Sequence, residues 1–342
     1  MAERRPVVWV SQPLYADIEA RLDEWFDVVR TPTVTDHAPE AIAAALAGAD
    51  GALVTLNDRI GAAEVAAAPR LRAVASVGVG YDSLDVAALA ARGIVATNTP
   101  GVLTEATADF GIALMMAAAR RMTEAERWLR DGRWNGWGFH AFHGAGIHGS
   151  TLGILGMGRI GQGIARRARG FGRRGLYHNR SRLPPGVERD CAAEWVARDA
   201  LFGQVDHLVL ALPYAPENHH IVDAAALARM KPGATLTNIA RGGLVDEGAL
   251  ADALQAGRLA AAGLDVFEGE PAVDPRLLAC DNVVLTPHIA SATLPTRRAM
   301  VSLAVDNLVA AMGFGPDAGR PPHPVTPPFD ASRGSGDGGS TH

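Results

Sequence analysis

The chain has 342 residues, 48% of them hydrophobic and 20% charged, a size and balance that supply two hydrophobic cores rather than one. A formal net charge of −5 argues against nucleic acid as a main partner, and two cysteines, Cys191 and Cys280, cannot build a disulfide framework. The first apolar run is too short for a signal-peptide core or a membrane span, so the reading is a reduced, cytoplasmic protein without a membrane.

Short apolar strands alternate with Ala-rich helices from the N-terminus. Val7–Val10 reads as a strand, a helix is predicted near Leu14–Asp27, Val28–Arg30 is a strand and Ala38–Ala47 a helix. Gly51–Thr55, Leu71–Val77, Asp85–Ala91 and Val95–Asn98 continue the alternation, which is that of a parallel sheet wound with helices. From Thr104 to Trp128 the chain has no Pro and no Gly beyond Gly111, and its opening Thr-Glu-Ala-Thr-Ala-Asp suits a helix N-terminus. One long bridging helix is predicted there.

The alternation restarts with strands near 152–156, 174–178, 207–211, 234–238, 260–264 and 283–285, and Thr296–Met312 reads as a helix returning to the first unit. The expected fold is therefore α/β, with two Rossmann-like, doubly wound parallel-sheet domains and a ligand cleft between them. A discontinuous, flavodoxin-like substrate domain is expected over 1–103 and 290–326, and a dinucleotide-binding domain over 104–289. Residues 327–342, rich in Gly and Ser and nearly free of apolar residues, read as a disordered tail.

Between Gly153 and Gly161 an apolar strand runs into a Gly-x-Gly-x-x-Gly turn made by Gly156, Gly158 and Gly161. In such a turn the first glycine permits a tight bend, the second lets the backbone approach a pyrophosphate, and the third lets the helix pack on the strand. About 20 residues on, where a carboxylate would accept hydrogen bonds from an adenine ribose, the chain reads Asn179-Arg180-Ser181-Arg182. Two guanidiniums and a hydroxyl suit a ribose 2′-phosphate, so NADP(H) is expected in preference to NAD(H).

Three polar residues stand beside strand ends of the second unit: Arg241 in Asn238-Ile-Ala-Arg-Gly-Gly-Leu-Val-Asp-Glu247, Glu270 before Pro271, and His288 in Thr286-Pro-His-Ile-Ala290. His140, His143 and His148 lie in a Gly-rich stretch without ligand spacing, and His219-His220 in a polar loop, so no metal is expected.

Taken together, the glycine turn with Arg159-Ile160, the run Ala240–Glu247, Gly263-Leu-Asp-Val-Phe267 with Glu270-Pro271, and Thr286–Ala290 resemble the D-isomer-specific 2-hydroxyacid dehydrogenases, in the family's order over about residues 50–312. Asn98–Asp109, the Arg180-Ser-Arg182 turn, and Trp134 with Trp137 look most like the glyoxylate/hydroxypyruvate reductases. That resemblance implies reduction of glyoxylate or hydroxypyruvate with His288 as acid, Glu270 fixing the imidazole and Arg241 holding the substrate carboxylate.

It also implies backbone amides of Val77 and Gly78 on that carboxylate, and Thr107, Ala240, Asp265 and Ala290 along the cofactor. A homodimer is implied as well, with Trp134 and Trp137 reaching the partner or packing the interface. A reductase of sugar-derived acids such as 2-ketogluconate, and a dinucleotide-sensing corepressor-like protein, share the same residues.

Overall fold

The short apolar runs fold as parallel strands in a computed structural model that describes residues 4–32, 37–172 and 174–326. The tail expected over 327–342 lies outside the described residues. Two compact units divide the chain after Leu103 and after Thr293.

The first unit carries β1 (Val7–Val10), β2 (Asp27–Arg30), β3 (Gly51–Val54), β4 (Ala73–Ser76) and β5 (Val95–Thr97), ordered β2-β1-β3-β4-β5 with every ladder parallel. Trp9, Ile42, Leu46, Val54, Ile60, Val74 and Leu89 pack one of its cores. Burying a Leu or Ile side chain in such a layer stabilises by about 1.5–3 kcal/mol. The helix expected near Leu14–Asp27 is shorter than its sequence suggests. It comprises Ala16–Glu19, a 3-10 turn over Ala20–Glu24, and then strand from Asp27.

In the second unit the strands are β6 (Thr151–Leu155), β7 (Arg174–His178), β8 (Ala193–Trp195), β9 (His207–Leu210), β10 (Ala234–Asn238), β11 (Leu259–Leu264) and β12 (Val283–Leu285). Their order is β12-β11-β10-β9-β6-β7-β8, again all parallel. Side chains alternate across it as a pleated strand requires: Leu208 and Leu210 enter one apolar cluster and Val209 the other. β8 was missed in the sequence because three residues at a sheet edge carry almost no periodicity.

The single helix expected over Thr104–Trp128 is two helices, Thr104–Ala119 and Met122–Arg130. Arg121 adopts φ 52°, and its guanidinium grips Glu124 at 2.6 and 2.7 Å. The carbonyl of Ala119 accepts instead from Ala145 N at 2.8 Å. Tertiary contacts from the segment after the second helix thus end the first, where local propensity alone would have continued it.

That segment is tied down by His207, which is buried at the start of β9. Its Nε2–H donates to Gly146 O at 3.0 Å, which leaves Nδ1 to accept from Thr235 Oγ1 at 2.8 Å. Burial pushes this imidazole below its ordinary value of 6.5. The unfolded chain therefore takes up the proton first as pH falls, and stability contributed by the neutral ring is lost below about 6.5. The urea midpoint of the wild type should fall more steeply between pH 8 and 5.5 than that of His207→Gln; equal slopes would remove His207 from the role.

Candidate functional site

β6 and β9 are neighbours although the chain between them visits β7 and β8, so the sheet reverses its winding there, and open α/β sheets bind ligands at that edge. The glycine turn sits on it. Gly156 follows β6 with φ 100°, and a Cβ there would lie 2.5 Å from Leu212 N, just past β9. A Cβ on Gly161 would lie 2.3 Å from Gly156 O, whereas at Gly158 nothing stands within 4 Å. Two glycines are thus required by packing and the middle one faces open space.

The helix Arg159–Ala168 begins directly behind Gly158, with no side chain capping its N-terminus. Arg159 is exposed, Ile160 half-buried and Gly161 buried. A bare backbone before an uncapped ten-residue helix is a cradle for an anion, and this geometry fits a dinucleotide pyrophosphate. A second fit is the Thr107 hydroxyl, which is buried without a hydrogen-bond partner among the described residues.

Asn179, directly after β7, turns its side chain inward: Oδ1 accepts from Met157 N at 2.7 Å, inside the glycine turn, while its carbonyl accepts from Trp195 Nε1 at 3.0 Å. Arg180 and Ser181 follow it, both exposed. Arg182 is differently placed. It makes a bidentate pair with Glu188, Nε to Oε1 at 2.9 Å and Nη2 to Oε2 at 2.8 Å. The Arg182 and Tyr177 hydrogen bonds hold the Glu188 carboxyl below its usual range. Sequence reading treated the two arginines as equivalent, and the structure does not.

The other polar residues are assembled by three strand ends. At the end of β10, Asn238 brackets a turn: Oδ1 accepts from Ala240 N at 3.0 Å and Nδ2 donates to Arg241 O at 2.8 Å. A Cβ on Gly242 would lie 1.8 Å from Phe267 C, so the Arg241 turn lies directly against the segment leading from β11 to Glu270. Glu270 Oε1 accepts from Phe267 N at 2.9 Å, and Oε2 meets His288 Nδ1 at 2.9 Å. Burial pushes the Glu270 carboxyl up. The His288 hydrogen bond and charge, the Phe267 N–H and the Arg241 charge outweigh it and leave the group below its ordinary 4.5.

Asp265, following β11, is fully buried. Its Oδ1 accepts from Thr286 Oγ1 at 2.7 Å and Ile289 N at 2.8 Å, its Oδ2 from Ala290 N at 2.8 Å, and its carbonyl from His288 N at 2.9 Å. His288 is held in the left-handed region at φ 54° by these bonds. The sequence places Asp265 and Ala290 along the cofactor; in the structure three of the four lone-pair directions of the Asp265 carboxylate shape the His288 loop, one of them through Ala290 N.

In the first unit, Val77 N donates to Val54 O at 2.8 Å, extending the β3–β4 ladder. The Val77 amide is thus engaged within the sheet, while Gly78 uses its carbonyl for Thr99 N, and a Cβ on it would meet ordinary contacts at 3.7 Å from Gly80 O and 3.9 Å from Ser76 Oγ. Asn179, Asn238 and Glu188 escaped sequence reading, because a polar residue that orients a neighbour leaves no spacing of its own. His219, His220 and Glu268 bring three metal-capable donors within 4.8 Å of one another. The two rings stack at 3.8 Å, so an ion in the plane of one stands out of the plane of the other, and Glu268 accepts from His220 Nε2 at 2.9 Å.

Residues 112–290 match the family model described as D-isomer specific 2-hydroxyacid dehydrogenase, NAD binding domain. A glyoxylate reductase of Thermococcus kodakarensis is 43% identical over 310 residues, covering 90% of this chain and 93% of that one. The chain belongs to the D-isomer-specific 2-hydroxyacid dehydrogenases.

The dehydrogenase is thus an NAD(P)-dependent oxidoreductase acting on 2-oxo acids. Among solved structures it resembles the NADPH-dependent glyoxylate/hydroxypyruvate reductase of Sinorhizobium meliloti in complex with NADP and malonate, at TM-score 0.84 and 38% identity over 95% of this chain and 98% of that one. A glyoxylate reductase from Paecilomyes thermophila gives TM-score 0.85 and 32% identity, over 94% and 99%. Among the described residues no helix is long and apolar enough to cross a membrane.

Gly242→Ala should lower the melting temperature and cost activity together, because its methyl group would displace the segment carrying Glu270. Forced overpacking against backbone costs about 1–3 kcal/mol. Unchanged melting and turnover would show that the Arg241 and Glu270 segments move independently.

Proposed function

We propose that the dehydrogenase reduces glyoxylate or hydroxypyruvate to glycolate or D-glycerate, with NADP(H) preferred and NAD(H) accepted. The observation that carries this reading is the assembly of Arg241, Glu270 and His288 at the carboxyl edge of the sheet that also holds the glycine turn. The names of its relatives support the substrate class, and the NADP complex of the Sinorhizobium meliloti reductase supports the cofactor.

Gly156, Gly158 and Gly161, with the backbone of Arg159 and Ile160, would hold the pyrophosphate, and Arg180 with Ser181 the ribose 2′-phosphate. When bound, a reduced nicotinamide supplies a hydride. His288 donates a proton from Nε2 to the carbonyl oxygen, since its Nδ1 is engaged by Glu270. Glu270 fixes the ring and balances its charge through the reaction.

Arg241 holds the substrate carboxylate with a permanent charge and paired donors. Gly78 supplies the amide expected of the Ser76–Gly80 loop, without Val77. Asp265 acts as a positioning residue, by fixing the backbone around His288. Trp134 and Trp137, 62% and 80% exposed, are surface that a second copy of the chain would cover in a homodimer.

Purified protein with NADPH and glyoxylate or hydroxypyruvate should consume the reduced-nicotinamide absorbance. Turnover confined to 2-ketogluconate would move the substrate to sugar acids, and silence across a panel of 2-oxo acids would exclude the reductase. His288→Ala should abolish turnover while NADPH still binds. Arg241→Lys should lower kcat/KM more than about ten-fold, because an ammonium cannot reproduce the paired fork.

A further inference from the structure

Arg180 and Arg182 flank Ser181, yet only Arg182 is engaged by a carboxylate. Its guanidinium offers Nε and Nη2 to the two oxygens of Glu188, the side-on fork that a phosphate would otherwise take. Glu188 is itself anchored from inside the unit. Its Oε1 accepts from the hydroxyl of Tyr177, a fully buried residue of β7, at 2.8 Å. Tyr177 OH in turn accepts from Leu183 N at 2.7 Å.

The carboxylate side chain is only 11% exposed whereas Arg182 is 63% exposed, so the fixed partner is the acid and the arginine is brought to it. Arg180 has no such partner among the described residues.

We infer that Glu188 sets the dinucleotide preference by holding Arg182 as its counter-ion, so that a ribose 2′-phosphate is gripped by Arg180 and Ser181 and not by Arg182. This rests on the NADP(H) reading above. Two charges act on it at this edge: Glu188 cancels that of Arg182 and competes for its donors, leaving one net positive group beside the phosphate. Glu188 is then a brake on NADP(H) affinity that leaves NAD(H), which lacks the phosphate, untouched.

The test is the dissociation constant of NADPH and of NADH for the full chain, read from the fluorescence of the reduced nicotinamide without substrate. In Glu188→Gln, whose amide oxygen still accepts from Tyr177, NADPH should bind about ten-fold more tightly and NADH as before. Arg182→Ala alone should change NADPH binding by less than about two-fold. Added to Glu188→Gln, it should erase the gain, which a double-mutant cycle isolates as coupling between residues 182 and 188.

Weaker or unchanged NADPH binding in Glu188→Gln, or a large loss in Arg182→Ala, would overturn the inference by showing Arg182 already on the phosphate. Failure of the underlying reading looks different. In that case Arg180→Ala would leave NADPH binding unchanged and the wild type would bind NADH as tightly as NADPH.

Discussion

The carboxylate of Asp265 is the constraint on which the candidate site depends. A fully buried acid is costly unless its oxygens are satisfied, and here they are satisfied by the backbone and hydroxyl of the loop that carries His288. Burial raises this carboxyl above its ordinary 3.8 even against those donors, a sign of how strongly the site is desolvated. The loop cannot relax without abandoning a buried acid, so the left-handed backbone of His288 persists. His288 then presents Nδ1 to Glu270, and Glu270 is aimed by Phe267 N.

A second set of polar side chains does the same for the cofactor edge. Asn179 reaches back from the end of β7 to Met157 and so pins the glycine turn. Asn238 brackets Ala240 and Arg241. Asn238 uses both ends of its amide, donating to one backbone group and accepting from another within one turn, whereas Asn179 uses its Oδ1 to join the end of β7 to the turn after β6. The charged residues of the site are thus oriented by neutral ones beside them.

The parallel sheets, the restart at Thr151 and the glycine turn were legible in the sequence because each has a period or a spacing: apolar runs of strand length, and three glycines at fixed offsets. Arg241, Glu270 and His288 stood out as polar groups beside strand ends, and only the resemblance to the family gave them roles. What could not be read were contacts between distant segments. Nothing around Arg121 breaks a helix until Ala145 takes the carbonyl of Ala119. Nothing in Arg180-Ser-Arg182 distinguishes its arginines until Glu188 is placed beside one of them. Val77 has the sequence of a ligand-binding loop and the hydrogen bond of a strand.

The helix Thr104–Ala119 approaches its neighbours through glycines on either side. A Cβ on Gly163 would lie 2.9 Å from Ala108 Cβ, one on Gly263 2.8 Å from Leu114 Cγ, and one on Gly111 2.9 Å from Ile239 Cδ1. Contacts of this kind leave few rotamers to adjust, and a close-packed interior passes displacement on instead of absorbing it. Gly163 belongs to the helix that starts at the glycine turn, and Gly263 to the strand that ends one residue before Asp265. The Thr104–Ala119 helix is therefore the common support of both, so the helix behind the anion cradle and the strand before Asp265 have no room for a side chain larger than hydrogen where they meet it.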